Sequence, residues 1–220
     1  MPSTSAIVNR ALRAHVAPIL RETGFTKIDA RNGWRWLDKV VWVFNIRAVG
    51  SYFSGVTEWP PGSVGVWLGV FYSFMPTDFP VKVDDEGRPL PAEYLCQMRS
   101  HLECTLDQSQ RAGRLPNPVE RHRKDIWWIE PDGSNAPSAA ADIASSLTGQ
   151  GVPWFEAHSN LARTLSEVEG GHDCFVKFDT AALLARELGD RAKVLKYSER
   201  AAAESRRIGL SIDPKARYGV

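Results

Sequence analysis

The sequence predicts an α+β fold from three observations: an amphipathic helix opens the chain, aromatic and β-branched runs with period-two alternation follow, and the C-terminal half turns helical. Helices segregated from strands in this way argue for an antiparallel sheet and against a parallel βαβ arrangement. With 220 residues, 43% hydrophobic and 24% charged, the chain can bury a core without disulfides or metals.

Ser3, Thr4 and Ser5 offer N-cap oxygens, and Ile7, Val8, Leu12, Val16, Ile19 and Leu20 recur at helical spacing until Gly24 supplies a left-handed stop. Pro18 lies inside this stretch, so a kink or break is expected near Val16. Runs at Gly33–Leu37 and Val40–Arg47 read as a hairpin turning at Asp38 and Lys39. A three-residue loop would place Trp34 and Trp36 beside Trp42 and Phe44, and a two-residue loop would place them beside Val41 and Val43. The first is favoured because it makes one continuous apolar face, with Trp34, Trp42 and Val66 buried together beneath the first helix. Ser63–Phe74 is apolar on both sides and is expected to be the central strand. The connection before it, through Tyr52, Phe53, Trp59, Pro60 and Pro61, is apolar for a loop and is read as either a lid or a binding element.

Met75–Pro91 is rich in turn formers and is expected to be irregular, and Glu93–Gln108 is either a short helix or a bent strand. Asp125–Glu130 reads as a short buried strand ended by Pro131, Asp132 and Gly133. Helices are expected at Pro137–Leu147, Pro153–Val168, Thr180–Leu188 capped by Asp179, and Arg191–Ile208 capped by Asp190. The resulting division is a sheet domain of about four strands over 1–135, and a helical region over 136–220 packed on it as part of one structural unit.

The net charge of +1 gives no global field toward nucleic acid or an anionic membrane. Three cysteines, Cys96, Cys104 and Cys174, fit reduced thiols. Arg10, Arg13, Arg21 and Glu22 interrupt the N-terminal apolar positions, so neither a signal peptide nor a membrane span is expected, and the chain is read as cytoplasmic.

Thr23-Gly24-Phe25 after the first helix, Trp34-Arg35-Trp36, Trp42-Val43-Phe44-Asn45-Ile46, Val66-Trp67-Leu68-Gly69-Val70 and the later strand Asp125–Glu130 resemble a family of uncharacterised bacterial proteins, catalogued as a domain of unknown function. The resemblance covers about the first two-thirds of the chain and implies a fold but no activity. Ala181–Arg206 looks like one helical hairpin of the tetratricopeptide type, which needs a neighbour to bury its face.

Candidate chemistry is sparse. Cys96, His101 and Cys104, with His122 as a fourth donor, are the only zinc-like set, and their spacing departs from paired knuckles, so no metal or cofactor is expected. Gly170-Gly171-His172-Asp173-Cys174 reads as a turn between helices, and His158 as a packing histidine. Asp38, Asp84, Asp85, Glu86 and Glu130 share no register that pairs two carboxylates, and no phosphate-binding glycine loop is present. The densest charge run is Arg111, Arg114, Arg121, His122, Arg123 and Lys124, leading into Trp127 and Trp128; a solvated loop is favoured over nucleic-acid binding. The leading reading is a non-catalytic, immunity-like or regulatory bacterial protein that holds a protein partner through its sheet edge, the Trp59 loop and the helical C-terminus, with Trp59, Arg121, Arg123 and Lys124 as the binding residues. The alternative is a hydrolase or nucleic-acid-processing enzyme with a site near His101, His122, Asp125 and Glu130.

Overall fold

A computed structural model describes residues 3–219; Met1, Pro2 and Val220 lie outside the described residues. The fold is α+β, with an N-terminal helix, an antiparallel sheet and a helical C-terminal half. Helix α1 (Thr4–Glu22) starts where Ser3 Oγ accepts the Ala6 N–H at 3.4 Å. It ends where Gly24, at φ +87°, lets the Phe25 N–H return to the Leu20 carbonyl at 2.9 Å. Pro18 does not break it: the helix is continuous through that position, held by the buried stripe Val8, Leu12, Val16 and Leu20.

The sheet runs β1 (Lys27–Ile28), β2 (Asn32–Trp36), β3 (Val40–Ala48), β4 (Val64–Tyr72) and β7 (Met98–His101) in spatial order, all antiparallel; β8 (Ile126–Trp127) shares the second edge of β4 with β7. The connection between β3 and β4 contains α2 (Ser51–Thr57), and a small hairpin, β5 (Lys82–Val83) with β6 (Pro89–Leu90), lies in the segment expected to be irregular. Residues 93–108 divide into a 3-10 turn, Glu93–Leu95, followed by β7, which resolves the choice between helix and strand, and a single helical turn, α3 (Ser109–Ala112), comes after them.

The favoured hairpin register is corrected. Trp34 lies opposite Val43 and Trp36 opposite Val41, and the Leu37 N–H meets the Val40 carbonyl at 2.8 Å across the two-residue loop Asp38-Lys39. The expectation failed because it allowed the hairpin only one apolar face, whereas both of its faces are covered. On the inner face, Trp42 stacks on Phe155 with centroids 4.8 Å apart and planes 8° apart, and Phe25 closes the cluster at 6.1 Å and 5.8 Å. On the outer face, Val41, Val43, Phe71 and Cys96 form a second core with Trp34 and Trp36 against its rim. The indole N–H groups of Trp34 and Trp36 donate to the carbonyls of Pro91 (2.9 Å) and Pro89 (2.8 Å), which fastens residues 81–96 over that face. Gly69 is required there: a Cβ on it would lie 2.5 Å from Cys96 Sγ. Trp34 is therefore half-buried and does not share the core of Trp42 and Val66.

The division between units also differs from the expected boundary at 135. The first compact unit contains residues up to Ser73 and Thr77–Phe155; the second contains Phe74–Pro76 and the chain from Glu156 onward. Helix α4 (Ala136–Ser146) belongs with the sheet because it packs on α1. Asp142 Oδ2 on this helix accepts the buried Trp127 indole N–H at 2.7 Å and the Thr105 N–H at 3.0 Å, and its Oδ1 accepts the Thr105 hydroxyl. A π-helical turn (Leu147–Gly151) then leads into α5 (Val152–Ser159), within which the unit boundary falls.

The second unit holds α6 (Leu161–Gly170), α7 (Phe175–Glu187), α8 (Arg191–Arg207) and the short α9 (Pro214–Tyr218). The helix expected over 153–168 is interrupted at Asn160, which caps α6 by accepting the Arg163 N–H. Asp190 caps α8 as expected, at 3.0 Å from the Lys193 N–H. Asp179 does not cap a helix. It sits inside α7, where its carboxylate binds Arg217 Nε and Nη2 (2.5 and 2.7 Å) and the Tyr218 hydroxyl (2.7 Å), anchoring α9 to the α7–α8 hairpin. The hairpin therefore does find a neighbour for part of its face within its own chain. His158 is buried and lies 3.1 Å from Glu167.

Two stability outcomes follow from this packing. Trp42→Ala removes a ring that is 2% exposed and is expected to cost about 3–5 kcal/mol in urea unfolding. Asp142→Ala leaves the buried Trp127 indole N–H and the more exposed Thr105 donors without their acceptor and is expected to cost about 2–4 kcal/mol in the same measurement, whereas a surface acid such as Asp38→Ala stays within about 0.5 kcal/mol.

Candidate functional site

The sequence places the site on Trp59, Arg121, Arg123 and Lys124, and the structure separates these four into different roles. Trp59 is fully buried, in a small core with Ala112, Leu115 and Ile126, and its indole N–H donates to Glu120 Oε2 at 2.8 Å. Trp59 is folded into the core as a lid residue would be, whereas Tyr52, in the same connection, is exposed. The Trp59 ring packs tilted against Trp128, 5.5 Å between centroids, so the aromatic half of the expected surface is core.

The basic half remains at the surface. A 3-10 turn, Glu120–His122, carries Arg121 and His122 outward, and Arg123 and Lys124 follow in extended backbone. Arg121 is fixed by its own neighbourhood, Nε donating to the Leu115 carbonyl at 2.6 Å and Nη2 to that of Pro116 at 3.3 Å. Arg123 is tied to Asp125 through two hydrogen bonds, reaches Glu120 at 3.5 Å and lies over the Phe53 ring at 5.4 Å. Burial alone would raise the Asp125 carboxyl, yet the hydrogen bonds and charge of Arg123, with a smaller contribution from His101, hold it below the usual carboxylate range. His122 and Lys124 are exposed, and neither side chain has a hydrogen bond or ion pair among the described residues.

Residues 121–124 form one wall of a hollow of about 460 Å³. The facing wall is the segment Glu103–Ser109, tied back by the Cys104 N–H to the Lys124 carbonyl at 2.6 Å and by the Gln108 amide to the Ile126 carbonyl at 2.9 Å. Gln150 closes one end, accepting the Glu103 N–H at 2.9 Å. The hollow is polar and carries both signs, with Glu103 and Asp107 on the wall opposite the cations.

The four residues of the enzyme alternative are not drawn into this hollow together. His122 lines it, whereas Glu130 lines a separate surface depression with Ser134 and Asn135 and is paired to Arg111 at 2.6 Å. Asp125 and Glu130 flank β8 in the sequence, and of the other three residues only His101 contributes to lowering the Asp125 carboxyl. The zinc-like set is dispersed as well. Cys96 faces Gly69 beneath the outer layer, and Cys104 sits beside the 103–124 hollow with its thiol pushed up to about 12 by burial. Burial, with the Glu93 charge beside it, pushes the Cys96 thiol up still further. Among the described residues, no group of three or more His, Cys, Asp and Glu side chains is placed to hold a metal ion.

A second charged cluster was missed by sequence reasoning. Glu93 has a fully buried side chain, and its two oxygens accept from Arg47 Nη2 at 2.5 Å and Arg99 Nε at 2.6 Å. The Arg47 guanidinium also lies 5.1 Å from the Trp67 ring centroid. The only local signal was Arg47 at the end of an otherwise apolar strand, because Glu93 joins it from 46 residues away.

Among the described residues, no helix is long and apolar enough to cross a membrane. Comparison of the chain with family models, with curated proteins and with solved structures finds no significant match.

Proposed function

We propose that the chain is a non-catalytic protein-binding or regulatory protein of the bacterial cytoplasm, immunity-like in role. On this reading it holds a segment of a partner protein in the hollow between residues 103–109 and 121–124, with the partner's acidic groups against the 121–124 wall. The observation that carries the reading is the division of labour within that wall. Arg121 and Arg123 are locked by protein acceptors, which fixes the backbone, while the His122 and Lys124 side chains stand free at the rim. A fixed wall lowers the ordering cost of association, and charges at a rim set encounter rate and partner choice more than they set affinity.

Two further features support binding over catalysis. The buried thiols of Cys96 and Cys104 are pushed away from the thiolate form that a nucleophile requires. Glu130 is held in an ion pair with Arg111 at a depression separate from the hollow that His122 lines. The expected anchor Trp59 contributes indirectly, as the post on which the turn at Glu120 is hung.

The test is charge reversal at the rim. His122→Glu combined with Lys124→Glu is expected to leave the thermal midpoint within about 2 °C, because both are exposed surface positions. The same variant, carrying a photo-crosslinking residue at the exposed Leu106 of the hollow, is expected to lose the cross-linked species that the wild-type pair of residues gives in cells, and raising salt should weaken the wild-type complex in vitro. An unchanged cross-link in the charge-reversed protein would remove this hollow from consideration.

A further inference from the structure

The outer face of the sheet is covered over only part of its area. Trp34, Trp36, Val41, Val43 and Phe71 lie under residues 81–96, whereas Arg47, Asn45, Trp67, Arg99 and His101 remain half-buried or exposed. The strand register brings these uncovered residues together. Trp67 pairs with Asn45 on one side and His101 on the other, and Gly69 pairs with Arg99, so Arg99 and His101 project from the same face of β7 beside the Trp67 ring.

Charge is not balanced at this place. The Glu93 carboxylate is removed from water and requires a cation, and one arginine would satisfy it. Two are present, each bonded to a different oxygen of the same carboxylate, so the guanidiniums are held close to each other with one positive charge uncompensated. Arg47 is 42% and Arg99 46% exposed in their side chains. Arg99 uses only Nε, which leaves both terminal nitrogens without a protein acceptor among the described residues; Arg47 uses Nε for Asn45 at 2.8 Å and Nη2 for Glu93, which leaves Nη1. Asp125, whose carboxyl is lowered in small part by His101, is already bonded to Arg123.

We propose that Arg47, Arg99 and His101 form an oxyanion site on the open half of the sheet, which takes the phosphate group of a small phosphate monoester. Glu93 is its positioning residue: it orients the two guanidiniums from below and leaves their unused N–H groups for the ligand. A tetrahedral oxyanion fits better than a carboxylate, because the two guanidiniums on one carboxylate leave three terminal nitrogens unused on two strands and a monoester phosphate offers three oxygens to meet them. Such a ligand relieves the repulsion between the two arginines, which is the physical reason for the second one. The site is independent of the 103–124 hollow and stands or falls separately.

Calorimetric titration of the whole chain with sodium phosphate, against sodium chloride at matched ionic strength, tests the site. Saturable binding to phosphate beyond the chloride control is expected, weakened at least about tenfold by Arg99→Gln and by Arg47→Gln, and unchanged by Arg10→Gln on the exposed side of α1. Should either arginine variant melt early, the unsubstituted protein still decides: the Nε–H resonances of Arg47 and Arg99 are expected to shift with phosphate and to stay in place with chloride. Phosphoserine and adenosine monophosphate form the last two arms. Tighter binding of one than of inorganic phosphate identifies a phosphorylated side chain or a nucleotide as the source, and both results support the site. No saturable binding of phosphate, or binding that both glutamine variants retain, overturns it.

Discussion

Everything else in the first unit depends on the burial of one strand, β4, on both of its faces. Its inner residues Val64, Val66, Leu68 and Val70 and its outer residues Gly65, Gly69 and Phe71 are all buried, and it pairs with β3 along its full length. A strand apolar on both sides cannot be left open to water on either, so the sequence must supply two covers. Helices α1 and α4 with Phe155 supply the inner one. The outer one is a segment with little regular structure, residues 81–96, and it holds its place through side chains of the sheet: two indole N–H groups donating to proline carbonyls, and two arginines gripping Glu93. Proline carbonyls suit this task because proline lacks an N–H to satisfy in return.

The same logic explains where polar groups are buried. Asp142, Glu93 and Glu120 are each placed as the acceptor for donors from other parts of the unit: Trp127 and Thr105 for the first, Arg47 and Arg99 for the second, Trp59 for the third. A tryptophan-rich sheet buries indole N–H groups along with the rings, and each buried donor demands a partner. These three acids are therefore structural, and in the hollow at 103–124 the cationic groups are those of the 121–124 wall.

What could be read from the sequence was what local spacing encodes. The stripe of α1, its stop at Gly24, the two-sided character of β4 and the cap at Asp190 each leave a pattern within a few residues, and the structure bears out all four. The hairpin register was not readable, because Trp34 and Trp36 meet apolar partners in either loop length and only the outer layer decides between them. Trp59 and Asp179 were misplaced for a related reason. Their partners Glu120 and Arg217 lie 61 and 38 residues away, and a hydrogen bond over that distance leaves no periodic trace. The candidate site was half legible: the cationic run at 121–124 is at the surface, whereas the ring beside it belongs to the core.

The account rests on the outer layer being packed as firmly as the inner one, and Cys96 reports on it because its thiol lies between that layer and Gly69. The decisive measurement is the rate of Cys96 alkylation across a urea titration, with the half-buried Cys174 as the internal control. The account predicts that Cys96 resists alkylation in native buffer and becomes reactive only along the global unfolding curve that tryptophan fluorescence follows. Alkylation of Cys96 in native buffer at the rate of Cys174 would show that residues 81–96 lift freely from the sheet, and would contradict the two-cover structure from which the rest is argued.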